Sequence, residues 1–206
     1  MQRPSNIPRG WYSRDYLPHF DGGPILQAFT FRLADSFPKE RLDAWSEELA
    51  RLPEKEASAE RHRRIESYLD TGAGNAWLRD HRIATLVQEA LLFFDGKRYH
   101  LHAWVIMPNH VHVLFTPINT HSLTNILHSW KSYTTHRANR ILNCRGKFWQ
   151  EESFDRYIRN EQHFLAAMNY IESNPVKAHL CTKNEDWEFS SASRRQAGET
   201  PALPGG

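Results

Sequence analysis

The sequence predicts a mixed α+β domain built around one antiparallel β-hairpin, and three observations carry that reading. Apolar and polar residues alternate from Ile25 to Leu33, as in a half-buried strand. Two strand-like runs, Arg98 to Met107 and His110 to Phe115, flank Pro108-Asn109, whose turn chemistry folds the second back on the first. Helix-period stretches separate and follow them, from Trp77 to Leu91, Leu123 to Ala138 and Glu161 to Ser173.

In chain order, residues 1–24 form an arm in which arginines alternate with aromatics, among them Arg9, Trp11, Arg14 and Tyr16. That mixture suits unpaired bases and phosphates, and equally suits rings packed on the domain. The first strand places Phe29, Phe31 and Leu33 on one face and Thr30 and Arg32 on the other. Two charged helical stretches, from Pro38 to about Leu52 and from Lys55 to Tyr68, make a helical insertion over about 38–70 whose charge gives no specific chemistry. In the run from Arg98 to Met107, Leu101, Ala103, Val105 and Met107 share one face, and His102, Trp104 and Ile106 the other. Apolar residues on both faces predict a central strand. The helix after the hairpin carries Lys131, Arg137 and Arg140, and a short extended piece spans Phe154 to Ile158. Asn160 is placed to cap the next helix, and Pro175 to end it. Beyond Leu180 only Trp187 and Phe189 look like anchors, so 25–192 reads as one domain and 193–206 as a flexible tail.

With 206 residues and 40% hydrophobic content, the chain can bury an ordinary core. Its apolar runs, such as Ala90 to Phe94, are too short to cross a bilayer, and the N-terminus has no apolar leader, so a cytoplasmic protein without a membrane partner is expected. Cys144 and Cys181 lack any CxxC spacing, which excludes a zinc knuckle or disulfide framework and suggests ordinary buried thiols. The net charge of +2 is uninformative, but residues 126–160 hold seven Lys and Arg against three Asp and Glu, suggesting a phosphate-bearing ligand.

The hairpin carries the first candidate site. On a strand His110 and His112 point the same way with Cα atoms about 7 Å apart, where two imidazoles can share one divalent ion. Val111, Val113 and Phe115 face the opposite side and anchor the strand. Such a pair also occurs as hydrogen-bonded structural histidines. On the later helix, Tyr170 and Asn174 stack one turn apart, off the stripe formed by Phe164, Leu165, Met168 and Ile171, with the small Ala167 beside them. A phenol is a poor nucleophile at neutral pH, but it can attack a phosphodiester when a metal polarises the phosphate. Two imidazoles and an amide oxygen, from His110, His112 and Asn174, suit Mn²⁺ better than Mg²⁺. Tyr170 equally reads as a ring packing at a helix edge.

These motifs occur in series with others. They are Ala103-Trp104-Val105-Ile106-Met107-Pro108-Asn109-His110-Val111-His112-Val113-Leu114, Phe148-Trp149-Gln150, Phe154-Asp155-Arg156-Tyr157-Ile158-Arg159, and Asn169-Tyr170-Ile171-Glu172-Ser173-Asn174-Pro175-Val176-Lys177-Ala178. Shorter blocks at Arg9-Gly10-Trp11, Tyr16 to Phe20, Trp77 to Asp80 and Asp186 to Ser191 accompany them. In these the sequence resembles the REP-associated tyrosine transposases, single-tyrosine members of the HUH nuclease superfamily, over nearly all of the chain except 38–70 and the tail. The resemblance implies a ferredoxin-like α+β domain with a central antiparallel sheet and flanking helices. It also implies that His110, His112 and Asn174 hold a divalent ion, Mg²⁺ or Mn²⁺, and that Tyr170 cleaves single-stranded DNA through a 5′-phosphotyrosine that a 3′-hydroxyl can reverse. The expected substrates are palindromic repeat hairpins. Arg9, Trp11, Arg14, Tyr16, Lys131, Arg137, Arg156 and Arg159 are the DNA contacts that charge suggests. Tyr157 is a rival nucleophile without an amide four residues on. Monomer and homodimer both remain open, as do a hairpin binder that does not cut and a hydrolase that uses activated water.

Overall fold

A computed structural model of the chain describes residues 10–13, 18–118, 121–151 and 153–196. Its strands are β1 (Gly10–Ser13), β2 (Pro18–Asp21), β3 (Gln27–Arg32), β4 (Tyr99–Ile106), β5 (His110–Pro117) and β6 (Phe154–Tyr157). Its helices are α1 (Lys39–Leu49), α2 (Glu54–Leu69), α3 (His81–Leu92), α4 (Leu123–Ile141), α5 (Glu161–Lys177) and α6 (Ser191–Gln196). β1 and β2 pair only with each other, while β4-β5-β3-β6 form a four-stranded antiparallel sheet. The path β3-α3-β4-β5-α4-β6 around that sheet is the expected ferredoxin-like α+β arrangement, with α5 added on the open face.

Strand alternation sorts the side chains into two cores. Phe29, Phe31, Trp104, Ile106, Val111, Val113 and Phe115 turn to one face, where Ile83 and Val87 of α3 and Ile126 and Trp130 of α4 cover them. Ala103, Val105, Met107 and Leu114 turn to the other, beneath Phe164 and Ile171 of α5. Phe31 lies at the centre of the larger core, stacked on Trp130 with ring centroids 6.5 Å apart and edge-on to Trp149 at 4.8 Å. Phe31→Ala is expected to lower stability by about 3–5 kcal/mol, read as a shift of the urea midpoint with an unchanged slope.

Several elements depart from the sequence reading. β4 lies at the sheet edge, with its outer side closed by a bridge from Val105 to Ser190 and by the Ile106 N–H donating to Phe189 O at 2.9 Å. Helices on both faces account for its two-sided hydrophobicity. The register between β4 and β5 shifts between Leu101 and Ala103, so Leu101 packs in the α3/α4 core. His102 instead reaches the α5 side, 2.9 Å from Thr116 Oγ1 and edge-on to Phe164. Such an extra residue reverses the alternation and leaves no trace in composition.

Pro175 lies inside α5 rather than stopping it. Its missing N–H falls in the final turn, which closes through Ala178 N–H to Asn174 O and Leu180 N–H to Pro175 O before His179 turns left-handed at φ +56°. Leu165, read as core, is 47% exposed, whereas Asn174 is 1% exposed, so the buried side of α5 is rotated toward the Tyr170–Asn174 stripe. The tail begins with α6, held by the Arg195–Glu172 ion pair and by Ser191 Oγ donating to Glu172 at 2.6 Å; residues 197–206 lie outside the described ones. Cys144 is exposed and Cys181 partly so. α1 and α2 close on a small core of their own made by Phe37, Leu42, Ile65 and Leu69. Among the described residues no helix is long and apolar enough to cross a membrane.

Candidate active site

The hairpin tip is clamped from three sides. Pro108 O accepts from Leu78 N–H at 3.1 Å, Asn109 O from Leu33 N–H at 2.9 Å, and Asn109 Nδ2 donates to Ala73 O at 2.9 Å. Asn109 Oδ1 then stands 2.7 Å from His110 Nδ1. Gly74 is required for this packing: its φ is +86°, and a Cβ there would meet Asp35 O at 2.8 Å.

Across the sheet, Phe154, Thr30, His112 and Val105 stand in one row, each opposite the next. Thr30 Oγ1 is 2.7 Å from His112 Nδ1, and His110 Nε2 is 3.0 Å from His112 Nε2 with the rings perpendicular. Both imidazoles are nearly sealed from solvent, at 1% and 3% exposure. Burial, with Arg32 beside His110 and with His110 beside His112, lowers each from its usual range to about 3. At neutral pH both rings are therefore uncharged. The contacts then form a consistent chain: Thr30 donates to His112, His112 to His110, and His110 to Asn109. Both Nε2 atoms become open to a cation when the His112 proton moves from Nε2 to Nδ1 and Thr30 turns to accept it. Two nitrogen ligands about 2.1 Å from one ion and at right angles stand about 3 Å apart, so the donor set fits a divalent ion. Among the described residues no three His, Cys, Asp or Glu could hold a metal together. On α5, Asn174 Nδ2 donates to Tyr170 O at 3.1 Å, so Oδ1 is the atom by which this amide could serve as a third donor.

Tyr170 meets His112 of its own chain edge-on, with ring centroids 5.8 Å apart, and Lys177 Nζ sits 4.2 Å from the centre of its ring. Glu66 of α2 borders the same cavity as Tyr170, and its charge acts on the phenol. Burial, and then the Glu66 charge, raise the phenol above its ordinary range. Glu66 in turn is 3.1 Å from His62 Nε2, and the His62 ring stacks on Phe154 at 3.6 Å. Burial works to protonate Glu66, but His62 beside it, and then His112 and Tyr170, hold it below the usual carboxylate range. These groups border a cavity of about 430 Å³ that also includes Arg63, Arg156, His163 and the small pair Ala166-Ala167. The cleft thus opens beside a buried, neutral histidine pair, with a tyrosine hydroxyl and a carboxylate at its wall.

Residues 77–174 match the family model for IS200-like transposases. Over that segment, a little under half of its length, the chain is similar to this family. A REP-associated tyrosine transposase of Escherichia coli (strain K12) is 29% identical over 97 residues, 47% of this chain and 56% of the relative, so the match spans little more than half the relative's length. A solved structure of a REP-associated tyrosine transposase bound to a REP hairpin superposes with a TM-score of 0.57 at 19% identity, over 95% of this chain and 91% of that one. It establishes a shared fold.

In this chain the expected residues divide by face. His110, His112, Tyr170 and Asn174 lie on the α5 side of the sheet, and Arg156 reaches the same cleft. Tyr157 alternates to the other face from Phe154 and Arg156, which removes it as a rival nucleophile. Lys131 and Arg137 ride on α4, which packs on the opposite face; Lys131 Nζ donates to Gln150 O, Glu151 O and Ser153 Oγ within 3.1 Å, and Arg137 covers the Tyr133 ring. Arg159 covers Tyr157. Arg9, Arg14 and Tyr16 lie outside the described residues, and only the backbone of Trp11 is described. The sequence reading missed Glu66, His62 and Lys177. Only Lys177 had a signal, its place in the Tyr170-to-Ala178 block; Glu66 is one charge among many on α2.

Proposed function

We propose that this chain is a metal-dependent single-strand DNA endonuclease and strand transferase that acts on palindromic repeat hairpins through a covalent 5′-phosphotyrosine. The observation that carries the proposal is the contact of Tyr170 with His112 of the same chain, beside the converging Nε2 atoms of His110 and His112. A hydroxyl one ring away from a metal-competent pair suits attack on a phosphodiester, and a hairpin binder needs no such pair. The structural relative solved with a REP hairpin supports the choice of substrate.

A divalent ion held by His110, His112 and Asn174 would neutralise the charge that builds on the scissile phosphate. The protein's own side chains do the rest. Asn109 and Thr30 hold the two imidazoles in orientation through their Nδ1 atoms. Tyr170 Oη is the attacking atom, and the P–O3′ bond breaks to leave a free 3′-hydroxyl. Lys177, over the tyrosine ring, favours the negative charge that develops on its oxygen. Both halves of the site come from one chain, which supports action in cis.

The test is incubation of the protein with a hairpin oligonucleotide and Mn²⁺ or Mg²⁺, followed by denaturing electrophoresis. A protein-linked DNA band supports the proposal; hairpin binding without one identifies a non-cleaving binder. Arg156, exposed on β6 at the cleft, is expected to hold a backbone phosphate. Arg156→Ala should weaken hairpin binding about 3–10-fold and flatten the slope of log Kd against log salt by about one, as measured by fluorescence anisotropy.

A further inference from the structure

We infer that Glu66, supplied by α2, is the catalytic base of Tyr170: its carboxylate receives the phenol proton as Oη attacks phosphorus, and His62 positions it. The inference rests on the function proposed above and adds a residue outside the 77–174 family match. Three observations carry it. Glu66 and Tyr170 border the same cavity, and Glu66 is the one carboxylate among the described residues that line it, so the proton has its acceptor beside the nucleophile. Its contact of 3.1 Å to His62 Nε2 fixes the carboxylate from behind, and that imidazole is itself pinned against Phe154 in the same cross-sheet row as His112. The arrangement is nucleophile, base and orienting group in sequence, drawn from α5 and α2. The other titratable groups near the carboxylate are Asp70, at the end of α2, the neutral His112, and Tyr170 and His62 themselves.

The step balances without any further reactant. The Oη–P bond forms, the Oη–H proton passes to Glu66, and the P–O3′ bond breaks with its electron pair on O3′. Water carries the proton from the new Glu66 carboxylic acid to that oxygen, and the net movement is one proton from Tyr170 to the released 3′-hydroxyl. Reversal runs the same path backward, with Glu66 first taking the proton of the 3′-hydroxyl through water and then returning it to the tyrosine. A residue that serves both directions suits strand transfer better than hydrolysis.

The test compares wild type and Glu66→Gln in single-turnover adduct formation on a hairpin oligonucleotide with Mn²⁺. Gln keeps the shape and an accepting oxygen at the cavity wall, but it cannot take the proton. The expected result is a rate lower by about 10²-fold or more, with hairpin affinity and Mn²⁺ affinity each within about 3-fold of wild type. The deciding arm replaces Tyr170 by 3,5-difluorotyrosine in both backgrounds. A more acidic phenol needs less help from a base, so the gap between Glu66→Gln and wild type should shrink at least about tenfold; a purely structural defect would leave it unchanged. The inference is overturned if Glu66→Gln forms adduct at the wild-type rate or faster, which would make the carboxylate a guard on the tyrosine, or if the gap survives fluorination. If wild type itself forms no adduct while binding the hairpin, the proposed function fails rather than this assignment alone.

Discussion

Tyr170→Phe is expected to abolish the covalent protein–DNA product, lowering its rate of formation by at least about 10⁴-fold, while hairpin affinity stays within about 2-fold of wild type. The substitution removes one oxygen and keeps the ring that packs against His112 and under Lys177. The rival tyrosine, Tyr157, lies on the opposite face of the sheet. The fold should tolerate the change. Glu66 keeps its contact with His62, so the cost of losing the hydroxyl is about 1 kcal/mol, visible as a small drop in Tm. Denaturing electrophoresis and anisotropy on the same hairpin separate the two outcomes. Residual adduct at a tenth of the wild-type rate would move the nucleophile elsewhere.

Acid is expected to unfold the protein at unusually mild pH. His110 and His112 titrate near 6.5 in the unfolded chain but are held down to about 3 by burial in the fold. Between those values the unfolded state binds more protons than the native one, so stability is complete above about pH 6.5 and falls as pH drops toward 3. Each imidazole costs about 1.4 kcal/mol per pH unit, and by pH 5 the pair removes about 4 kcal/mol, a large share of a typical 5–15 kcal/mol total. Asp70 acts in the opposite sense: its carboxyl, raised to about 6 by burial and by Glu66, holds its proton more tightly in the fold and offsets part of the loss. Urea midpoints measured from pH 7.5 to 5 should show the decline, and His110→Gln/His112→Gln should flatten it. A wild-type curve that is flat across this range would contradict buried neutral histidines.

What the sequence made legible is what depends on short-range periodicity. His110 and His112 follow a turn and alternate with valines, so their shared face is fixed by strand geometry before any tertiary contact forms. Tyr170 and Asn174 are likewise joined by helical spacing, and Asn160 caps that helix through its contact with His163 N–H at 2.8 Å. Features that depend on long-range pairing were not legible. Glu66 meets Tyr170 across 104 residues of chain, and nothing in the charged run from Lys55 to Tyr68 distinguishes it from its neighbours. The bulge beside His102 cannot be seen without the partner strand. Lys131 has the charge of a DNA contact, but its ammonium binds the carbonyls of the loop that leads into β6. Charge density identified a region and could not say which face of the sheet it served.

The separate core of α1 and α2 has a practical consequence for the cleft. Phe37, Leu42, Ile65 and Leu69 hold these helices together without drawing on the two clusters that flank the sheet. Small volume changes at those four positions would therefore shift His62 and Glu66 by fractions of an ångström while the histidine row stayed fixed. The gap between the two walls becomes an adjustable clearance, open to variation or design at residues that never touch the substrate.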